Sequence, residues 1–135
     1  MGSPLNIFQV SGRAMSAQMI RMNTTASNMA NAGAISGSAD TAYRSIKPVF
    51  KTYYDSQSGM ATVDVQSVVA AGEGPTKRYD PGNPLADKDG NVWESAVEQS
   101  RELVDMLEAA RAYQNNVEVM QTAKTLITDT LKLGR

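Results

Sequence analysis

The sequence predicts a mainly α-helical protein with a small β insert, in which two long terminal helices pair as an antiparallel coiled coil. Both terminal segments repeat apolar or small residues at alternating intervals of three and four, which places them on one face of a coiled-coil helix. Between them lie two runs rich in β-branched and aromatic residues, which favour strands. We therefore expect an N-terminal helix at 1–35, a linker with a small β-containing segment and a turn-rich arm at 36–94, and a C-terminal coiled-coil helix at 95–135.

The first predicted helix runs from about Leu5 to Asn31, and Asn31 and Gly33 suit its end because both tolerate a left-handed backbone. Arg13 and Arg21 are the only charged side chains between positions 1 and 39. A helix that faces bulk water usually carries mixed charges, so we expect this one to be enclosed by protein. Its apolar or small seam consists of Leu5, Phe8, Gly12, Met15, Met19, Met22, Ala26 and Met29.

The middle of the chain contains the predicted β segment. Tyr43–Tyr54 and Met60–Ala71 are the predicted strands, and Asp55–Gly59 forms the turn between them. Pro48 favours a sheet edge for the first strand, since proline cannot donate a ladder hydrogen bond. Ala34–Thr41 is small and polar, which predicts a flexible connector.

The stretch Glu73–Asp89 is rich in Gly and Pro and is predicted to form turns or an extended arm. Asp80, Asp87 and Asp89 lie in or at the end of it, and a small carboxylate hydrolase built on this loop is a third, weaker possibility. A calcium loop starting at Asp87 lacks the glycine required at its sixth position, and Gly72–Lys77 lacks the residue order of a phosphate loop. No metal or cofactor site is predicted.

The second predicted helix runs from about Ser95 to Leu133, without Gly or Pro. A neighbouring apolar stripe broadens its surface, which indicates more than one helical neighbour. Charged residues such as Glu102 and Arg111 distinguish it from the first helix and would let it face water or form ion pairs. Its seam consists of Ala96, Gln99, Leu103, Met106, Ala110, Tyr113, Val117, Met120, Lys124, Ile127 and Leu131.

Composition narrows the function classes. The 135 residues include 13 Lys and Arg against 14 Asp and Glu, a formal net charge of −1, which argues against a nucleic-acid binder or a membrane-surface protein. No apolar run approaches the roughly 20 residues of a membrane span, and we expect export without a cleaved signal peptide. The chain has no Cys and no His, which removes thiol nucleophiles, the usual zinc sites and imidazole triads, so we predict that it is not an enzyme.

Three motifs resemble those of bacterial flagellar rod and hook proteins. Gln18–Ala32, which ends in Ala-Ser-Asn-Met-Ala-Asn-Ala, is similar to their N-terminal motif. The link Tyr79–Asp87 and the later stretch Ala110–Val119 resemble those of proximal rod members of the flagellar basal-body rod protein family. The resemblance covers essentially the whole chain. One departure is Glu94–Val97, where similar proteins often carry Pro-Asn-Val before the last helix.

The resemblance implies the flagellar axial fold and a structural subunit of the proximal rod of the flagellar basal body. Such a subunit assembles through its terminal helices into a hollow drive shaft, which transmits torque from the rotor to the hook, conducts exported subunits and is needed for motility. The implied partners are other rod proteins, copies of the chain, and the flagellar type III export apparatus during secretion. The implied location is the rod that spans the periplasm. The alternative is a soluble secreted helical adaptor or effector that binds one partner.

Two sets of residues are predicted to carry assembly. Ser27, Asn28 and Asn31 are predicted at an inter-subunit junction, because the two asparagines share a helix face and can hydrogen-bond to a neighbouring backbone without burying charge. Composition alone equally supports an ordinary helix end for this motif. The methionines are flexible side chains that suit surfaces with several non-identical neighbours. The predicted packing residues are Phe8, Met15, Met22, Met29, Leu103, Met106, Val117, Met120 and Ile127.

Overall fold

The computed structural model describes residues 4–134, together with the side chains from Asn6 onwards. Two long helices, α1 (Pro4–Ala30) and α2 (Gln99–Leu133), lie at the two ends of the described chain. Between them in sequence are five strands: β1 (Ile35–Ser36), β2 (Ile46–Asp55), β3 (Met60–Ala70), β4 (Thr76–Tyr79) and β5 (Asn91–Glu94). The predicted class, mainly α with a small β insert, is confirmed. The predicted seam position Leu5 and the first three residues of the 1–35 part lie outside the described side chains. Within residues 4–134, no helix combines the length and the apolar character needed to cross a membrane.

Helix α1 matches its prediction to within one residue at each end. It stops where the N–H of Asn31 bonds to the Ser27 carbonyl at 3.1 Å and Gly33 takes a left-handed backbone with φ of 74°. A residue with a Cβ atom would be strained in that conformation. The glycine therefore ends the helix and turns the chain towards β1.

Two neighbours from the same chain cover α1. Asn28, near its end, bonds to Glu102 in the first turn of α2, and Ile7, near its start, shares a groove with residues between 115 and 126. The hairpin β2–β3 lies on another side of α1, where Arg13 bonds to Asp64. This explains part of the missing charge on α1, because two of its sides meet protein rather than water.

The predicted hairpin is confirmed. Strands β2 and β3 pair antiparallel from Ile46 opposite Ala70 to Asp55 opposite Met60, and each strand is an edge, as Pro48 requires. The pairing shifts after Val49, which leaves Gln66 as an extra residue in β3, a β-bulge. The first strand begins at Ile46 rather than Tyr43.

A second sheet, with strand order β1-β5-β4, was not predicted. The connector Ala34–Thr41 contributes β1, so its interpretation as a flexible connector was wrong. Glu73–Asp89, predicted as turns or an extended arm, contributes the extended strand β4. Strands of two and four residues are too short to give an alternating pattern. Val92 in β5 is fully buried. Strands β4 and β5 lie between the hairpin and α2 in the sequence, so this sheet connects the two.

Helix α2 begins at Gln99 rather than at the predicted Ser95. The N–H of Ser95 bonds to the Ala34 carbonyl at 2.9 Å, so the chain stays extended beyond β5. The departure from the family pattern at Glu94–Val97 lies in this extended segment. A contact with a residue far away in the sequence thus sets the start of the helix.

Candidate functional site

A buried polar cluster joins α1, β2 and α2. We call it the Asn28 junction, and it consists of Asn28, Tyr43, Ile46 and Glu102. The Asn28 side-chain amide donates to the Ile46 carbonyl at 2.9 Å and to Glu102 Oε2 at 3.0 Å. Its oxygen accepts from the Ile46 N–H at 2.8 Å and from the Tyr43 hydroxyl at 2.9 Å. These four bonds use the full hydrogen-bonding capacity of an asparagine side chain.

The chemistry of the Asn28 junction requires an amide. Asn28 is 1% exposed and Glu102 is 4% exposed, so unpaired groups there would lose water without compensation. An amide offers a carbonyl and an NH₂ group together, so it can pair with both backbone groups of Ile46, as a neighbouring strand would. The junction therefore fixes where the hairpin leaves the two helices.

The other two residues of the predicted inter-subunit motif lie beside the Asn28 junction. Ser27 Oγ is 3.2 Å from the Tyr43 hydroxyl, and the Asn31 amide donates to the Ser27 carbonyl at 2.8 Å. The motif therefore lies at one place in the fold, and the backbone that Asn28 recognises belongs to its own chain. An additional role of this motif between subunits stays a prediction.

The sequence alone did not predict the partners of Asn28. Glu102 was interpreted as a charge that could face water, but it is buried against Asn28, 74 positions away in the sequence. Glu102 lies seven positions before Ala109, which is also buried, so the two share one face of α2. This spacing is a weak signal that could have predicted the burial of Glu102.

Both charged side chains of α1, Arg13 and Arg21, form ion pairs with neighbouring elements. Arg21 lies 3.4 Å from Asp105 and 3.2 Å from Glu108 on α2, and Arg13 lies 2.8 Å from Asp64 on β3. Exposed ion pairs of this kind contribute about 0–1 kcal/mol each. They align the elements, but they stabilise the fold only slightly.

The predicted packing residues are only partly covered in the single chain. Leu103 is 47% exposed. The eight others, Phe8, Met15, Met22, Met29, Met106, Val117, Met120 and Ile127, have intermediate exposure. The buried residues of α2 are Glu102, Ala109 and Ala123, each one position before a residue of the predicted seam. Packing against α1 thus uses a face next to that seam, and the role of the nine residues in assembly stays a prediction.

Large apolar side chains remain exposed on α2. Seven of them are Leu103, Val104, Leu107, Val119, Leu126, Leu131 and Leu133. Val119 and Leu126 border the groove that α2 forms with Ile7 of α1. Leu103, Val104 and Leu107 lie within five positions of one another, and exposed apolar side chains that lie together are typical of a site of protein contact. We call the seven exposed residues the apolar surface of α2.

The acidic loop forms turns. The Asp87 carboxylate accepts the N–H groups of Asn91 at 2.8 Å and Asp89 at 2.9 Å. The bond from Asn91 is the main cause that lowers the pKa of Asp87. Among the described residues, no three His, Cys, Asp or Glu side chains form a group suited to a metal ion. The geometry gives the carboxylate of Asp87 a structural task in this loop.

Two long helices with exposed apolar side chains, joined by a small β insert and a buried polar junction, define a class of helical structural proteins. Comparison with known proteins gives its family. Residues 8–33 match the family model of the flagella basal body rod protein, and residues 88–133 match that of the flagellar basal body rod FlgEFG protein C-terminal region.

Similar proteins cover the chain almost completely. The flagellar basal-body rod protein FlgC of Salmonella typhimurium is 42% identical over 134 residues, which is 97% of this chain and 98% of that protein. FlgC of Yersinia enterocolitica is 42% identical over 135 residues, 98% of this chain and 99% of that protein. The chain belongs to the FlgC family of flagellar basal-body rod proteins. It is therefore a structural rod protein, as the resemblance predicted, and the comparisons do not favour the adaptor alternative.

Proposed function

We propose that the chain is a proximal-rod subunit whose terminal helices pair as an antiparallel coiled coil and then pack against helices of neighbouring subunits. The observation that carries this proposal is the set of exposed apolar residues of α2, which stay largely in solvent although α1 already packs against α2 at Glu102 and beside Ala123. A helix that is apolar on more than one face has more than one neighbour.

The contacts between the helices support the antiparallel pairing. The end of α1 meets the start of α2 at Asn28 and Glu102, and the start of α1 lies beside residues 115–126 of α2. Glu102, Ala109 and Ala123 are separated by multiples of seven, which is the heptad spacing of a coiled coil.

Assembly follows from the position of the uncovered surface. Leu103, Val104 and Leu107 are exposed on α2, whereas Glu102 faces α1 at the Asn28 junction, so copies and related rod proteins would bind through surfaces unlike the one between α1 and α2. Such heterologous contacts build open tubes or filaments rather than closed dimers. This supports a hollow shaft as the final assembly, which transmits torque and conducts exported subunits.

Family membership supports the remaining partners and the location. The partners would be other rod proteins, copies of the chain, and the flagellar type III apparatus that exports the subunit to the periplasm. The formal net charge of −1 gives no basis for nucleic-acid binding. Ser27 and Asn31 would contribute to the inter-subunit junction, and Asn28 would hold the geometry from within.

The test introduces a charge on the uncovered face. Leu126→Asp should abolish swimming and prevent rod completion, because Leu126 is 62% exposed in the single chain and would place a carboxylate in a buried contact after assembly. The matched control, Thr125→Asp, changes the adjacent exposed residue. Swimming in soft agar and isolated basal bodies report the outcome, and normal rods with Leu126→Asp would contradict the proposal.

A further inference from the structure

Strand β2 has one edge that pairs with no other strand of the described chain. Its other edge pairs with β3, and the two strands form a sheet of their own. On β2 every residue from Val49 to Asp55 is exposed, whereas on β3 Thr62 is buried and Val63–Val65 are half-buried. The outer half of β2 is therefore held mainly through β3, and its far edge faces solvent.

The open edge of β2 presents unpaired backbone N–H and C=O groups, which make it a template for another strand. At its base, Lys47 and Pro48 oppose such pairing, since a charge disfavours an added strand and proline has no N–H group. Residues 51–55, in contrast, read Lys-Thr-Tyr-Tyr-Asp and are rich in residue types that favour strands. We call them the 51–55 section, which is the part of the edge that can accept a partner strand.

Lys51, at the start of the 51–55 section, forms no ion pair within residues 4–134. It lies opposite Asp64 in the hairpin, but the Asp64 carboxylate contacts Arg13 at 2.8 Å. The Lys51 ammonium group lies instead over the ring of Tyr53, 5.3 Å from its centroid. Because Lys51 is exposed, its charge can reach a carboxylate of another chain.

Asp55, at the end of the 51–55 section, supplies the opposite charge. Its carboxylate accepts the Ser58 hydroxyl at 2.7 Å and the Gln57 N–H at 3.0 Å, and these bonds lower the pKa of Asp55. The section thus has a cation at one end and an anion at the other. A strand with this pattern is complementary in charge to a second copy of itself that runs in the opposite direction.

We propose that the 51–55 section of β2 binds the same section of a second copy of this chain, antiparallel, with Tyr53 opposite the partner's Tyr53. In this register Lys51 lies opposite the partner's Asp55, and Thr52 lies opposite the partner's Tyr54. Pairs of opposite charge and aromatic pairs stabilise neighbouring strands when they lie directly opposite each other. The register also pairs residues whose backbone groups point the same way, because both members of each pair are odd or both are even. The two hairpins then form one sheet with the order β3-β2-β2-β3.

The surface used for this pairing is small, so we expect a weak and reversible dimer. Stable interfaces use about 20–30 residues a side, far more than the 51–55 section supplies. A twofold axis relates the two copies and points them in opposite directions, while copies in a tube built from heterologous contacts all point the same way. Under the proposed function, the dimer therefore forms between chains that have not joined the rod, and it covers their open strand edge.

Analytical ultracentrifugation of the full purified chain tests the charge pairs and does not depend on rod assembly. Lys51→Glu and Asp55→Lys each place like charges opposite each other at both ends of the contact, and each should weaken dimerisation by about tenfold or more. An equimolar mixture of the two variants restores both pairs of opposite charge and should dimerise again, which a misfolded hairpin would not do. A wild-type chain that stays monomeric up to millimolar concentration, or a mixture that does not recover, would overturn the proposal.

Disulfide formation tests the register, since the chain has no native cysteine. Tyr53→Cys would place two thiols directly opposite each other, with a Cα–Cα distance of about 5 Å that a disulfide can span. Tyr54→Cys is the control, because its Cα would lie about 8 Å from its counterpart, beyond the reach of a disulfide. Tyr53→Cys should form the linked dimer faster under mild oxidation, although Tyr54 is the more exposed residue, at 70% against 46%. Equal rates, or faster linking of Tyr54→Cys, would overturn the proposed pairing.

Discussion

At the residue scale, Asn28 connects three elements through one side chain. Its side-chain amide makes the hydrogen bonds that water would otherwise make to both backbone groups of Ile46 and to the buried carboxylate of Glu102. No other side chain type provides two donors and two acceptor positions on a planar group of this size except the longer glutamine. The identity of this residue therefore follows from the geometry of the single chain.

Asn28→Ala should lower the free energy of unfolding by about 1–3 kcal/mol, because the Ile46 backbone and Glu102 lose their partner in a buried place. Asn23→Ala, at an exposed position of the same helix, is the control and should have little effect. Urea denaturation of both purified variants measures the difference. Equal stability of the two variants would show that the Asn28 junction is not needed for the fold.

Asn31→Ala separates a role in folding from a role between subunits. The Asn31 side chain bonds to the Ser27 carbonyl of its own helix, so its loss should leave stability almost unchanged. If Asn31 lies at an inter-subunit junction, swimming should still be impaired, and the variant with both Asn28 and Asn31 replaced should not assemble rods. Normal swimming of that double variant would remove the recognition role.

At the element scale, the two helices and the hairpin could be predicted because each has a long regular pattern. The end of α1 could be predicted as well, since Gly33 has a conformational reason to be there. Strands β1 and β4 could not, because they are short and exist only through pairing with β5. The start of α2 depends on the bond from Ser95 to Ala34, which the local sequence does not reveal.

In the candidate site, too, only the residue with a local sequence signal could be predicted. Asn28 could be selected from the sequence as a polar residue near the end of a helix that has only two charged side chains. Its partners could not, because Ile46 and Glu102 reach it only after the hairpin and α2 have packed on α1. The buried residues of α2 each lie one position before a residue of the predicted seam. The sequence could not decide between these faces, because a broad apolar surface allows more than one seam.

Small side chains lie at the contact between α1 and α2, so enlarging one of them tests how closely the helices pack. Ala109 is fully buried in α2, so Ala109→Leu should overpack the chain and lower its stability by about 1–3 kcal/mol. Ala26→Leu adds the same atoms at an exposed position of α1 and should be tolerated. Thermal unfolding followed by circular dichroism compares them, and equal midpoints would mean that α2 does not pack closely at Ala109.

At the scale of the whole molecule, the chain divides its surface between internal and external contacts. Alanines and the Asn28 junction hold α1 against α2, while larger apolar residues such as Leu103 and Leu126 remain outside. Under the proposed function, burying that apolar surface would supply favourable free energy for assembly. The subunit would then gain this stabilisation only when its neighbours are in place.

Cysteine accessibility in the assembled rod tests this claim most directly, because the chain has no native cysteine. Leu103→Cys and Leu126→Cys would each be exposed to a maleimide reagent, once in the purified chain and once in isolated basal bodies, with denatured samples as the reference for complete labelling. We predict rapid labelling in the purified chain and strong protection in basal bodies. Equal labelling in both states would contradict the account, because the apolar face of α2 would then stay in water after assembly.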